Sequence, residues 1–120
     1  MQKKTLVLGA SSKPGRFSML AIKSLVNHNV DVVAIGSRPD EVAGIPILNY
    51  PVFPNDIHTV TLYLNPFRQK QYLDYIIQLK PKRIIFNPGT ENPELFKLAK
   101  ENDIDVVYDC TLIMLNKGTY

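Results

Sequence analysis

The sequence is poor in the residues that staple or metallate small proteins. It has one cysteine, Cys110, and two histidines, His28 and His58. A single thiol excludes an intrachain disulfide, so stability has to come from packing. That suits a reducing compartment and sets the expectation of a cytoplasmic protein. Two separated histidines and one cysteine make no metal-ligand set, and no Ser-His-Asp arrangement can be argued from them. No apolar run approaches the roughly 18 residues of a membrane span. The stretch that opens the chain, Met1 to Gly9, is too short in its apolar part for a leader and reads as a strand running into a loop. A dense block of one charge is also missing: 14 Lys and Arg are interspersed with 11 Asp and Glu, for a net charge of +3. Without a basic stripe and interleaved aromatics a nucleic-acid surface is not expected, whereas a mild positive excess suits a small anion.

What the sequence does have is alternation. At 120 residues, 45% hydrophobic and 21% charged, it is sized and composed for one soluble domain, residues 1–120. Short continuous apolar runs alternate with helical periodicity. Thr5–Leu8, Asp31–Ile35, Val60–Leu64, Arg83–Phe86 and Asp105–Tyr108 read as strands covered on both faces. Helices are expected over Phe17–Val26, from Pro66 to about Leu79 and over Glu94–Asn102, with a last turn at Leu112–Leu115. Asn65-Pro66 and Asn92-Pro93 each pair an N-cap residue with a proline at the first helical position. Gly36 to Asp56, with Pro39, Pro46, Pro51 and Pro54, reads as a connector with room for a short hairpin or helix turn. Strand, helix, strand in repetition predicts a Rossmann-like α/β fold. The expected form is a doubly wound parallel five-stranded sheet, in the order 3-2-1-4-5.

Such sheets bind ligands beyond the carboxyl ends of their strands, where the strand order reverses. The loop after the first strand is Gly9-Ala10-Ser11-Ser12-Lys13-Pro14-Gly15-Arg16-Phe17-Ser18. Gly9 permits a tight turn. The hydroxyls, backbone amides and helix N-terminus can donate to an anion, and Lys13 and Arg16 add positive charge. The same residues also fit a polar loop with no ligand. The loop is not a Walker A loop, because Arg16-Phe17 follows Gly15 where Lys-Ser/Thr is needed. It is not a dinucleotide fingerprint either, because Ser11 stands in place of the second glycine. After the second strand come Gly36-Ser37-Arg38, with no acid before Asp40. An arginine there favours a ribose that carries a phosphate, as in NADP or coenzyme A. A solvated surface arginine is the competing reading.

The loop Gly9–Ser18, Arg38 and the final Asp109-Cys110 resemble the small stand-alone CoA-binding domain proteins. They are also similar to the CoA-binding domain of the succinyl-CoA synthetase α subunit, over about Thr5 to Met114. The resemblance implies that Gly9, Ala10, Ser11, Ser12, Arg16 and Ser18 surround the phosphates. It implies that Gly36, Ser37 and Arg38 lie near the adenosine, and that Asn65, Pro66, Asn87, Pro88 and Gly89 form the rim. There are departures. The family often has Asn-Pro after the second strand, where this chain has Gly36-Ser37. It commonly has a glutamine before the glycine of the fourth-strand loop, where this chain has Asn87-Pro88. The synthetases' further domains, one of them with a phosphorylatable histidine, fall outside these residues, so the ligase activity is not expected to carry over.

Cys110 follows the fifth strand and could face the thiol of bound CoA, or be a small buried hydrophobe. His28 is expected to cap the first helix, and His58 to lie at the end of the sheet away from the ligand. Glu91 and Asp109 are expected to make loop hydrogen bonds. The resulting expectation is a CoA- or acyl-CoA-binding module with no catalytic residue and no metal. An NADP-dependent oxidoreductase, or a subunit whose site an oligomer or a partner protein completes, is the alternative.

Overall fold

The computed structural model describes residues 3–120; Met1 and Gln2, with which the leader reading begins, lie outside the described residues. Seven strands form one sheet. They are β1 (Thr5–Ala10), β2 (Val32–Gly36), β3 (Asp40–Val42), β4 (Ile45–Leu48), β5 (Thr59–Leu62), β6 (Arg83–Phe86) and β7 (Asp105–Tyr108). The helices are α1 (Phe17–Asn27), α2 (Pro66–Gln69), α3 (Leu73–Leu79), α4 (Pro93–Glu101) and α5 (Thr111–Lys117).

The sheet order is β3-β4-β2-β1-β5-β6-β7, with every pairing parallel except β3 with β4. This corrects the five-stranded expectation in number and in order. The Gly36–Asp56 stretch is no plain connector. Ala43 (φ 52°) and Gly44 (φ 81°) both adopt the left-handed conformation that a two-residue hairpin turn requires, and they fold β3 back on β4. β4 then pairs with β2, Ala34 against Ile47 and Ile35 against Leu48. The place outside β2 is therefore filled from within the connector. The Val60 run, expected there, pairs instead with the other side of β1. Counting only the parallel strands in chain order gives 3-2-1-4-5-6, the order of dinucleotide-binding folds, with its reversal between β1 and β5.

Both faces are covered. Leu73, Ile76 and Leu79 of α3 and Leu95 and Ala99 of α4 pack on Leu6, Leu8, Val60, Leu62, Ile84 and Phe86. Ile22 and Leu25 of α1 and Leu115 of α5 pack on Val7, Ala34 and Ile47. The central strands are buried on both sides, and their continuous apolar runs follow from that. Asn65 and Asn92 are the caps that the cap-plus-proline pairs predict. Asn65 Oδ1 accepts from the Arg68 N–H at 2.9 Å, and Asn92 Oδ1 from the Glu94 N–H at 3.0 Å. The helix expected from Pro66 to Leu79 is interrupted by a tighter turn at Lys70–Tyr72. His28 caps α1, its Nδ1 2.7 Å from the Ser24 carbonyl oxygen.

Two glycines set the spacing at the reversal. Gly9 has φ 96° and sits at a register shift in β1, and a Cβ there would lie 2.9 Å from the Tyr63 carbonyl carbon and oxygen. Gly36 pairs with Ala10, and a Cβ on it would lie 2.2 Å from the Ala10 carbonyl oxygen. Both obstacles are backbone, so neither can swing aside. Gly36→Ala is therefore expected to destabilise the domain by about 1–3 kcal/mol through overpacking. Urea denaturation checks this; an unchanged midpoint would mean that the ends of β1 and β2 part without loss.

Candidate functional site

The carboxyl ends of β1, β2 and β5 enclose a cleft of about 830 Å³. That volume is in the range of small-molecule and cofactor sites. One wall is the loop after β1, from Gly9 to Lys13 with Arg16. A second is Ile35 to Asp40, after β2. The third is Tyr63, Leu64 and Asn65 after β5, with Arg68, Gln71 and Tyr72 from the helical segment that follows.

The loop after β1 is held by its own hydroxyls. The Ser11 N–H donates to Ser18 Oγ at 3.1 Å, the Lys13 N–H to Ser11 Oγ at 3.1 Å, and Ser12 Oγ to the Asp40 carboxylate. Ser18 is buried. It fixes the loop from beneath and is not on the cleft wall. At the start of α1, Arg16 occupies the N-cap position in extended conformation without a side-chain cap bond, and the first turn has no acid. The first amides of this 11-residue helix are left for an external acceptor. Lys13, Arg16, Arg38 and Arg68 are exposed on the cleft walls. Among the described residues the one ion pair is Lys4 with Asp56, so none of these four cations is ion-paired.

Several neighbours have shifted proton affinities. Asp40 accepts from Ser12 and from the Glu41 N–H, and both bonds hold its carboxyl below the usual value of 3.8. Burial pushes the Tyr63 hydroxyl up to about 12, offset in part by the neighbouring Thr111 and Thr61 hydroxyls. It stays protonated near neutrality. At the opposite end of the sheet, burial and then the charges of Arg83, Lys3 and Lys82 hold His58 below 6.5, with its Nδ1 2.7 Å from Thr59 Oγ1.

The third wall rests on a buried amide network. Gln69 is fully buried; its Nε2 donates to the Leu64 carbonyl at 2.8 Å and to the Thr90 carbonyl at 2.7 Å, while its Oε1 accepts from Asn92 at 2.9 Å. Beside it, Asn87 Nδ2 donates to Thr61 Oγ1 at 2.7 Å and to the Leu62 carbonyl at 2.8 Å, and its Oδ1 accepts from the Thr111 N–H at 2.9 Å.

The structure thus brings Gly9, Ala10, Ser11, Ser12, Arg16, Gly36, Ser37, Arg38 and Asn65 together on one cleft. It does not bring Ser18, Pro66, Asn87, Pro88, Gly89 or Cys110 to its walls. Asn87 is turned inward as a strut between β5, β6 and α5. Pro88 and Gly89 are exposed beyond it, and the Gly89 N–H is tied to Glu91 Oε1 at 3.0 Å. Cys110 is half-buried at the N-cap of α5, its N–H donating to Asp109 Oδ1 at 2.7 Å. Asp109 and Glu91 thus make the loop hydrogen bonds expected of them. The cleft-lining residues missed from the sequence are Ile35, Pro39, Asp40, Tyr63, Leu64, Arg68, Gln71 and Tyr72. The post-strand rule could have found Tyr63 and Leu64 had β5 been ended at Leu62. Among the described residues no group of three His, Cys, Asp or Glu could hold a metal ion, and no helix is long and apolar enough to cross a membrane.

A family model described as a CoA binding domain matches residues 3–116. The chain is similar over its full length to an uncharacterized protein of known crystal structure, at 45% identity and TM-score 0.96, covering 99% of that chain. It is also similar to a hypothetical protein from Pyrococcus horikoshii OT3, at 27% identity and TM-score 0.86, over 98% of this chain and 84% of that one. A protein from Thermus thermophilus shares the fold at 21% identity and TM-score 0.83, over 98% of this chain and 91% of that one. No curated protein matches.

Removing the buried amide of Gln69 tests whether the network carries the third wall. Gln69→Leu leaves the Leu64 and Thr90 carbonyls and the Asn92 amide without partners, and is expected to cost about 3 kcal/mol, since each orphaned buried group costs roughly 1–3 kcal/mol. Chemical denaturation measures it; a loss below about 1 kcal/mol would mean that the wall re-forms its hydrogen bonds without Gln69.

Proposed function

The chain belongs to the family of CoA binding domains, and we propose that its cleft binds coenzyme A, free or acylated, with the phosphates on the loop after β1 and the adenosine toward β2. The observation that carries this reading is the meeting of four cations without an ion-pair partner, Lys13, Arg16, Arg38 and Arg68, around one cleft, with Arg16 at the N-cap of α1. In that reading Gly9, Ala10, Ser11 and Ser12 line the diphosphate with Arg16. Gly36 and Ser37 lie under the adenosine, Arg38 pairs with the ribose 3′-phosphate, and Asn65 borders the opposite side. Ser18 positions the loop. Pro66, Asn87, Pro88, Gly89 and Cys110 act through the chain around them or on a part of the ligand that extends past the cleft. The chain is read as a carrier or sensor of the cofactor in a soluble, reducing setting.

NADP also carries a phosphate on its adenosine ribose, and Arg38 suits that group as well. Calorimetric titration separates the two. CoA is expected to bind more tightly than NADPH and NADH, and native mass spectrometry of freshly purified protein should find CoA carried along. Equal or tighter binding of NADPH would give the cleft to a nicotinamide cofactor instead.

The role of Arg38 has its own test. A guanidinium on the 3′-phosphate makes a charge-assisted contact that dephospho-CoA cannot make. Wild-type protein should prefer CoA over dephospho-CoA by about tenfold, equivalent to about 1.4 kcal/mol. Arg38→Ala should lose most of that preference and keep much of its affinity for dephospho-CoA. A general electrostatic attraction would instead weaken both ligands and fade with salt. A variant that discriminates as well as wild type would make Arg38 a surface charge.

A further inference from the structure

Asp40 is an acid in the wall of a cleft lined with cations. Its Oδ2 accepts from Ser12 Oγ, 28 positions earlier in the chain, and its Oδ1 accepts from the Glu41 N–H at 2.8 Å. The two bonds hold the carboxyl below its usual value, so it is ionised at neutral pH. No lysine or arginine among the described residues forms an ion pair with it.

An acid just past the second strand has two physically distinct uses. It can accept from the hydroxyls of a ribose, as the acid of dinucleotide-binding sheets does. It can also occupy a donor that the ligand needs. The partners of Asp40 favour the second use. Both carboxylate oxygens already have donors, and one donor is the hydroxyl of Ser12, in the loop that the phosphates are read to occupy. The neighbouring donors are likewise taken from inside: Ser11 N–H by Ser18, and Lys13 N–H by Ser11. Among the acceptors of these donors Asp40 is the single ionised one, and it reaches in from across the cleft.

We propose that Asp40 is an internal competitor for the phosphate subsite, its carboxylate standing on Ser12 where a phosphate oxygen of the ligand would stand. An entering phosphate must displace the carboxylate and then tolerate its charge nearby. The effect is a penalty common to all phosphate ligands, which sets a threshold that a weakly attached anion does not pass. An anion with a single point of attachment competes poorly, whereas a ligand that also engages Arg38 or Arg68 has binding free energy in reserve for the exchange. The inference rests on the reading that this loop takes phosphates and not on the ligand being CoA.

Asp40→Asn removes the charge and keeps one carbonyl oxygen to accept from the Glu41 amide, its NH2 facing the Ser12 hydroxyl as a donor, and Asp40 is exposed, so the fold is not at risk. Wild type and variant are titrated calorimetrically with inorganic pyrophosphate, adenosine 3′,5′-bisphosphate and CoA. The variant is expected to bind all three more tightly, by about tenfold at low salt, with a gain that shrinks as salt screens the lost repulsion. The same gain for pyrophosphate with no CoA binding by wild type would support the competitor and count against the CoA reading alone. If the variant loses affinity for CoA and the bisphosphate but not for pyrophosphate, Asp40 is a ribose acceptor and the proposal is overturned. Unchanged affinities, or no pyrophosphate binding by either protein, overturn it as well.

Discussion

Three parallel strand ends meet at the reversal of this sheet with less room between them than side chains need. The Ala10 carbonyl stands where a Cβ of residue 36 would be, and the Tyr63 carbonyl stands where a Cβ of residue 9 would be. Each crowding is backbone against backbone, which leaves glycine as the residue that fits without moving a strand. The positive φ of Gly9 and the register shift beside it then turn the chain out of β1 and into the loop that becomes the first wall of the cleft. The cleft is thus a consequence of how closely β1, β2 and β5 can be packed. The residues that line it are the first to escape that packing.

The walls leave the sheet by different physical routes. The loop after β1 is tied by amide-to-hydroxyl bonds and by Ser12 to Asp40, and at the exposed ones, Lys13 N–H to Ser11 and Ser12 to Asp40, water can replace the partner at small net loss. The wall after β5 is tied by Gln69, Asn87, Thr90 and Asn92, all buried. There an unmade bond costs the full desolvation of the group. One side of the cleft can therefore exchange partners when a ligand arrives, while the other is fixed as part of the core. Tyr63 belongs to the fixed side, since burial keeps its hydroxyl protonated far above neutrality.

The legibility of the sequence follows the same division. The strands of the core could be read because burial on both faces demands continuous apolar runs, and Leu6 to Leu8, Ile84 to Phe86 and Val60 with Leu62 have no exposed side. The helix starts could be read because Asn-Pro is a local device whose geometry does not depend on the rest of the fold. β3 and β4 could not. They are 3 and 4 residues long, β4 contains Pro46, and their turn is Ala-Gly, without the Asn-Gly or Asp-Gly signal of a hairpin. That one omission misplaced the Val60 strand, because the space outside β2 seemed to be empty. Within the site, the loop after β1 and Arg38 were legible from chemistry and position. Arg68, Gln71 and Tyr72 were not, because which side of a short, interrupted helix faces a cleft is set by tertiary packing. The resemblance implies a rim position for Asn87, whereas its amide is needed inward by three partners on β5 and α5.

Asn87 shows why position after a strand is a necessary property of a site residue and not a sufficient one. Every parallel strand of this sheet delivers a polar residue at its carboxyl end, but those ends differ in what lies above them. Above β1 and β2 there is open space, and Ser12, Ser37 and Arg38 extend into it. Past β6, Asn87 is bonded to Thr111, the first residue of α5, which is fully buried and bonded to Thr61 at 2.7 Å. The buried polar groups there, Thr61, Asn87 and Thr111, satisfy one another. The sheet's carboxyl edge therefore has an open half, where the ends of β1, β2 and β5 line the cleft, and a half at β6 whose buried polar groups are bonded to one another. The charges follow the split: Lys13, Arg16, Arg38 and Arg68 all stand on the open half, where a desolvated anion would gain most from them.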